Sequence, residues 1–365
     1  MTYNDMLPLF QAYPLLKENL PYVHFGVFPT PVQLLDRMGN GNQVYIKRDD
    51  QTGEVYGGNK IRKLEFLLGD ALKQGAKEVL TFGCDGSNHA LATGIYAIKL
   101  GLHSTSILRT QYNAQYVRKN LLKSLYYGIE LRHRETLEEM EELVKELQEQ
   151  RKAQNKQPIY EIPMGGSSPL GNVGFVNAAF ELKQQIDAGL LPEPDYIYAA
   201  AGTMGTVVGL MIGLKVLGLK TQVVPIRVNN NTRVNTQAMT DMLNATAKLL
   251  HKADPAFPLL HYSEDDVHLI HDYFGEDYAL FTEKGMAAVK SMKNYGIEIE
   301  GTYTGKTFAA LLDATQNKAH QNQVFLFWNT LNSRMPKDNV LDLDYHALPQ
   351  DFHFYFETEV QKLDQ

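Results

Sequence analysis

The chain has 365 residues, 44% of them hydrophobic and 21% charged, with a net charge of −7. This describes an ordinary globular protein and excludes a basic nucleic-acid or anionic-membrane surface as the main partner. A single cysteine, Cys84, excludes an intramolecular disulfide framework and a cysteine-built metal site.

The most apolar helical stretch, 207–219, is interrupted by Lys215 and is too short to span a bilayer. The first residues lack a basic segment followed by an apolar core, so no secretory signal and a cytoplasmic setting are expected. The length suits one large or two medium domains.

Residues 1–43 carry prolines at 8, 14, 21, 29 and 31 and read as loosely structured. A short strand is expected over 44–47, then Arg48, Asp49 and Asp50, then GGNKIRKLE at 57–65. Two glycines and an asparagine there resist regular structure. A helix over 61–74 follows, with Ile61, Leu64, Phe66, Leu67 and Leu68 as its apolar spacing and Arg62, Lys63 and Glu65 as a polar face. Gly75 is its expected C-cap.

Lys60 therefore opens a helix, where the dipole disfavours an ammonium by up to about 1 kcal/mol. Arg62 and Lys63 add like charge, and like charge or burial lowers a lysine pKa. A neutral amine is what covalent chemistry with an aldehyde needs.

Further along, strands are expected over 79–82, 103–109, 159–162, 196–200, 222–228 and 324–328. Helices are expected over 91–100, 114–127, 136–150, from 207, within 229–253, and over 282–294 and 307–314. Thr136 with Glu139 forms a capping box. Strand–loop–helix alternation with short connections predicts α/β architecture with mainly parallel sheets. Residues 335–365 mix aromatic and acidic side chains; packing between domains or against another subunit would suit them.

Three loops join a strand to a helix through glycines and hydroxyls: GCDGSNHA (83–90), MGGSSPLG (164–171) and AGTMGT (201–206). In parallel α/β folds such loops lie at the carboxyl ends of strands, where ligands bind. The third is the best anion site: Gly202 and Gly205 allow close approach, Thr203 and Thr206 offer hydroxyls, and a helix N-terminus follows. Its spacing is not the dinucleotide fingerprint.

A rival phosphate site is GTYTGKT at 301–307, which ends like a P-loop. It has three residues between its glycines where the motif requires four, and the preceding residue is Glu300. His268, His271 and Glu264 do not make metal-ligand spacing, and no metal is expected. Ser87 and His89 lack a nucleophile elbow.

YIKRDD at 45–50, GGNKIRKLEFLLGDA at 57–71, GSNHA at 86–90, IPMGGSSPLG at 162–171 and AGTMGT at 201–206 together resemble one family. It is the group of pyridoxal-phosphate enzymes containing D-cysteine desulfhydrase and 1-aminocyclopropane-1-carboxylate deaminase. Weaker similarity runs through DYALFT (277–282) and YTGKTF (303–308), so the resemblance covers residues 25–335.

It implies fold type II, as in tryptophan synthase β: a large domain of residues 1–62 and 172–365 with an inserted α/β domain of 63–171, and the cofactor in the cleft. It implies that Lys60 bonds to the cofactor aldehyde and later moves protons, and that Asn88 meets the ring oxygen. Gly202, Thr203, Met204, Gly205 and Thr206 would cradle the phosphate with help from Lys63, and Thr330 would stand by the pyridine nitrogen. Ser87, Asn88 and His89 would line the substrate carboxylate pocket, and Tyr278 and Tyr303 would act on the substrate amine or relay protons. Ser87, Tyr278 and Tyr303 join Lys60 as catalytic candidates, and Tyr303 also contacts substrate.

This sequence departs from the family at Met204, where a smaller residue is usual, and at Leu331 and Asn332, where two glycines usually follow the threonine. His89 suits the desulfhydrase branch; the deaminase branch more often has glutamine. The implied activity is elimination from a small amino acid, giving pyruvate, ammonia and sulfide, by a homodimer. Ring opening of an aminocyclopropane acid, β-replacement, a cofactor carrier without turnover, and a nucleotide-binding protein using 301–307 remain alternatives.

Overall fold

A computed structural model describes residues 6–334 and 340–365. In chain order the elements begin with α1 (Pro8–Ala12), α2 (Pro14–Asn19), β1 (Val32–Arg37), β2 (Gln43–Lys47), α3 (Lys60–Lys73), β3 (Glu78–Cys84), α4 (Asn88–Lys99), β4 (His103–Arg109) and α5 (Gln115–Tyr126). Next come β5 (Glu130–His133), α6 (Leu137–Ala153), β6 (Tyr160–Ile162), α7 (Pro169–Asp187), β7 (Tyr196–Ala201), α8 (Gly205–Val216), β8 (Gln222–Arg227) and α9 (Thr236–Ala253). The last are α10 (Glu283–Lys293), α11 (Thr304–Gln316), β9 (Val324–Trp328) and α12 (Phe354–Glu357).

The chain divides into two compact units. The first comprises the residues up to Phe66 with Ser167–Arg334; the second comprises Leu67–Gly166 with the C-terminal residues from 340. The expected division placed 172–365 together. The C-terminal segment instead groups with the second unit, and the boundary near residue 63 falls within α3, after Phe66.

The first unit is built on a five-stranded sheet in the order β1-β2-β9-β7-β8. Only β1 runs antiparallel; β2, β9, β7 and β8 are mutually parallel, with Lys47 beside Trp328 and Tyr198 beside Phe327. The carboxyl ends of β2, β9 and β7 therefore share one edge, which carries the loops after Lys47, after Trp328 and after Ala201. Pro225, which cannot donate to a ladder, sits on the edge strand β8. The second unit holds a four-stranded parallel sheet, β5-β4-β3-β6.

Two helices decide where the site lies. On α7, Gly174 passes the start of α3 so closely that a Cβ would stand 1.9 Å from Arg62 O. On α8, a Cβ at Gly209 would stand 2.4 Å from Phe175 Cβ, and one at Gly213 would stand 2.5 Å from Ala179 Cβ. These glycines let α7 lie against α3 and α8, which brings two distant stretches of chain together.

Helix α7 is absent from the sequence reading. It is buried on nearly every side, so it shows no amphipathic period, and it contains Gly171 and Gly174. Strand β1 and the proline-initiated α1 and α2 lie in the stretch read as loosely structured. Strand β5 is only four residues long. The expected polar face of α3 is also corrected: Arg62, Lys63 and Glu65 are all buried.

The burial of Arg62 is balanced charge for charge. Arg62 donates to both oxygens of Asp49 at 2.7 and 2.8 Å and to Glu181 Oε2 at 2.8 Å. Lys47 Nζ meets Glu181 Oε1 at 2.5 Å, Gln185 Oε1 and Thr30 O at 2.7 Å each. Trp328 Nε1 donates to Asp49 at 2.7 Å. Burial raises the Glu181 carboxyl, but Arg62 and Lys47 overcome it and hold its pKa at about 2. This cluster fixes the first turn of α3 to β2, β9 and α7.

Candidate active site

Lys60 is the first residue of α3. It retains some solvent exposure, yet burial brings its ammonium down to about 8, with Glu300 opposing the shift. Burial is therefore the main cause.

The preceding loop is tied down from two sides. Gly58 has φ +91° and lies against Thr330 O; Asn59 N donates to that oxygen at 3.2 Å. Gly57 N donates to Asn332 Oδ1 at 2.6 Å, and the same oxygen accepts from Arg334 N. Arg334 Nε reaches Gly53 O at 2.9 Å. Asn332, where the family usually has glycine, thus anchors the loop that presents Lys60.

The side chain of Asn59 then spans to the third glycine loop. Its Oδ1 accepts from Lys60 Nζ at 2.9 Å, and its Nδ2 donates to Thr206 Oγ1 at 2.9 Å. The sequence reading noted Asn59 only as resisting regular structure and gave it no role in the site.

Gly202, Thr203 and Met204 connect β7 to α8, which opens with Gly205 and Thr206. Met204 is the N-cap residue of α8, in the left-handed region at φ 64°, and contributes no side-chain cap. The amides opening α8 have no intrahelical acceptor by geometry and point into the loop. Around them stand hydroxyls and a lysine: Ser167 Oγ lies 2.7 Å from Thr203 Oγ1, 3.2 Å from Gly205 N and 2.9 Å from Lys63 Nζ. A Cβ at Gly205 would fall 2.8 Å from Lys63 Nζ, so only glycine leaves this hollow open. Burial, then the charge of Lys60, push the Lys63 ammonium well below its ordinary value. Amides, hydroxyls and a lysine around a space that one methyl would fill suit a phosphate monoester.

Tyr303 lies beside this loop, its ring 3.4 Å from where a Gly202 Cβ would be, and its hydroxyl bonds that of Tyr278. Tyr303 also stands at the N-cap position of α11 without a side-chain cap, and the amides of 302–304 explain the failed P-loop. Glu300 accepts from Thr302 N at 2.7 Å and from Tyr303 N and Thr304 N at 2.9 Å each. A protein carboxylate already takes the donors that a nucleotide phosphate would need. The 268–271 stretch is not helical, and His271 Nδ1 accepts from Arg227 Nε at 2.7 Å.

In the second unit, Ser87 caps α4, accepting from Ala90 N at 3.1 Å. Asn120 Nδ2 donates to Asn88 Oδ1 at 3.0 Å, which assigns Nδ2 as the donor end of Asn88. His89 is buried, and its Nε2 lies 3.0 Å from Thr81 Oγ1. That hydroxyl gives its proton to Ile162 O, so it accepts from His89 Nε2–H. The Nε2–H of His89 is thus bonded within the unit.

A partly buried, lowered-pKa lysine joined through Asn59 to an anion cradle at the carboxyl ends of parallel strands defines a pyridoxal-phosphate enzyme of fold type II. Residues 23–330 match the family model described as pyridoxal-phosphate dependent enzyme. The chain is 36% identical over 320 residues to a putative 1-aminocyclopropane-1-carboxylate deaminase of Pyrococcus horikoshii, covering 86% of this chain and 93% of that one. It is 34% identical over 310 residues to D-cysteine desulfhydrase of Klebsiella pneumoniae, covering 83% and 91%.

Among solved structures, an ACC deaminase homologue superposes with a TM-score of 0.76 at 34% identity, over 89% of this chain and 94% of that one. A cysteine synthase of Entamoeba histolytica, at 15% identity and TM-score 0.57 over 90% of each chain, shares the fold. The chain belongs to the pyridoxal-phosphate-dependent enzymes, in the family of D-cysteine desulfhydrase and ACC deaminase. No helix among the described residues is long and apolar enough to cross a membrane.

Proposed function

We propose that this enzyme eliminates the β substituent of a small amino acid, D-cysteine foremost, with water completing the release of pyruvate, ammonia and sulfide. The observation that carries this reading is the Asn59 side chain, which links Lys60 Nζ to Thr206 Oγ1. Reactive amine and phosphate cradle are thereby held at a fixed separation.

Bound pyridoxal phosphate supplies an aldehyde for the amine and an electron sink for the bond broken at the α carbon. With its pKa at about 8, Lys60 passes readily between its neutral and charged forms near neutral pH. It can take the α proton and return one later. Gly202–Thr206, Ser167 and Lys63 would hold the phosphate.

Ser87 and the amide of Asn88 would orient substrate carboxylate and cofactor oxygen, while the Tyr278–Tyr303 pair would pass a proton at the amine or the leaving group. Thr330, a neutral hydroxyl following β9, would leave the ring nitrogen unprotonated. That limits charge withdrawal and favours elimination over transamination. His89, held through Nε2 by Thr81, would line the same carboxylate pocket. A homodimer and a cytoplasmic location belong to the same reading, and light scattering of the purified protein tests the dimer.

The test is an absorption spectrum followed by a substrate panel. The holoenzyme should absorb in the visible, and Lys60→Ala should abolish the band. Among D-cysteine, L-cysteine, D-serine and 1-aminocyclopropane-1-carboxylate, D-cysteine should yield pyruvate and sulfide in equal amounts. Turnover of the cyclopropane acid alone, giving a four-carbon keto acid, would replace this reading with ring opening. A colourless protein indifferent to added cofactor would remove both.

A further inference from the structure

The C-terminal segment lies beyond the matched family region, yet one of its side chains reaches the loop carrying Ser87 and Asn88. Tyr355, on the short helix α12, is fully buried in the second unit. Its hydroxyl donates to Asp85 Oδ2 at 2.6 Å and accepts from Gln111 N at 2.9 Å. Gln111 in turn holds the loop: its Oε1 accepts from Gly86 N at 3.0 Å, and its Nε2 donates to Tyr116 Oη at 2.6 Å.

From the other side, Asn120 Nδ2 donates to Gly86 O at 2.9 Å and to Asn88 Oδ1. Gly86 has no slack, because a Cβ there would lie 2.7 Å from the Tyr116 ring and 2.8 Å from Val117. The loop of residues 85–88 is thus fixed at three points, and Tyr355 serves two of them.

The segment is itself well seated. Asn113 Nδ2 reaches Tyr355 O at 2.9 Å and Thr358 O at 3.1 Å, Gln361 N donates to Asn113 O at 2.9 Å, and Gln115 N donates to Asp364 Oδ2 at 2.5 Å. Phe352 stands edge-on to His133 at 5.7 Å between ring centroids.

We infer that the C-terminal segment acts as a clasp in which Tyr355 is a positioning residue, holding the loop of Asp85–Asn88 in the geometry that orders Ser87 and Asn88 for the amino-acid substrate. This rests on the proposed role of Ser87 and Asn88. Burial is the main reason the Asp85 carboxyl is pushed up to about 6. The Tyr355 hydroxyl and His133, 3.8 Å away, oppose that shift, while Glu135 and Asp351 add to it. Among the described residues Asp85 Oδ1 has no hydrogen-bond partner, so the clasp bears on a single carboxylate oxygen.

The experiment compares holoenzyme carrying Tyr355→Phe, which keeps the ring and removes the hydroxyl, with Asp85→Asn, which keeps an oxygen to accept from that hydroxyl. Two readouts are taken: amide hydrogen exchange across residues 78–109, and kcat and KM for the amino-acid substrate. Loss of the hydroxyl should speed exchange at 85–88 about tenfold, the scale of one buried hydrogen bond, and leave β3 and β4 unchanged. KM should rise by a similar factor with kcat and the visible band little altered, and Asp85→Asn should stay near wild type.

Unchanged exchange at 85–88 in Tyr355→Phe would overturn the clasp. So would uniform acceleration across β3 and β4, which marks a merely structural tyrosine. If no amino acid is turned over but the loop still loosens locally, the functional reading falls and the clasp stands.

Discussion

Gly205→Ala tests the phosphate cradle by filling it. The added methyl would lie 2.2 Å from Asn172 Oδ1, 2.7 Å from Ser167 Oγ and 2.8 Å from Lys63 Nζ, all closer than packed atoms tolerate. The backbone at Gly205 is not left-handed, so the effect is steric. Lys63 and Ser167 can swing away, but they are the groups a phosphate would use. Asn172 is fully buried, and its Nδ2 is bound to Thr246 Oγ1 at 3.1 Å, so it resists moving.

Overpacking of this kind costs about 1–3 kcal/mol. Each 1.4 kcal/mol borne by the bound state is about tenfold in affinity. Titration of apo protein with pyridoxal phosphate, read by visible absorption, should show binding weakened about ten- to a hundredfold. Thermal melting of the apo protein, run in parallel, separates lost affinity from lost stability. A variant that binds as tightly as wild type, with an unchanged melting temperature, would show that the phosphate lies elsewhere.

Lys60 should govern a pH dependence. Its pKa in the fold is about 8, below the ordinary lysine value, so the rate of cofactor capture by apo protein should rise with pH to a midpoint near 8 in stopped-flow absorbance. By the same linkage the unfolded chain binds more protons above that point. Lys60 therefore adds stability to the apo fold as pH rises from about 8 toward the ordinary lysine value, and loses it as pH falls. Glu300→Gln removes the charge that opposes this shift and should move the midpoint lower; a midpoint that moves up would refute the assignment.

Arg62→Met should strand Asp49 and Glu181 with Lys47 as their remaining cation, a loss of about 3–5 kcal/mol for a broken buried network. Because two units unfold, the melting temperature and soluble yield are the measures to use. A melting temperature within about one degree of wild type would show that the cluster does not hold α3.

The sequence was explicit wherever chemistry is local. Strands of contiguous apolar residues, such as Val324–Trp328, and the capping box of Thr136 and Glu139 need only neighbours in the chain. Lys60 at a helix start and the glycine–threonine loop at 201–206 could be read for the same reason. A turn's glycines and a helix's first residues are set by backbone geometry over a few positions.

What the sequence left undecided depends on partners far along the chain. The charges of Arg62, Lys63 and Glu65 were read as a polar face because their partners lie elsewhere: Asp49 and Glu181 for Arg62, Ser167 for Lys63, the amides of Phe25 and Gly26 for Glu65. Helix α7 had no periodicity to show because its neighbours surround it. The commitment of His89 to Thr81, the anchoring of Gly57 by Asn332, and the reach of Tyr355 to Asp85 each join residues that only folding brings together.

Composition and local pattern alone determined an α/β chain with a reactive lysine and an anion loop. Tertiary structure decided that Asn59 joins them, because a hydrogen bond between residues 147 positions apart carries no local signature.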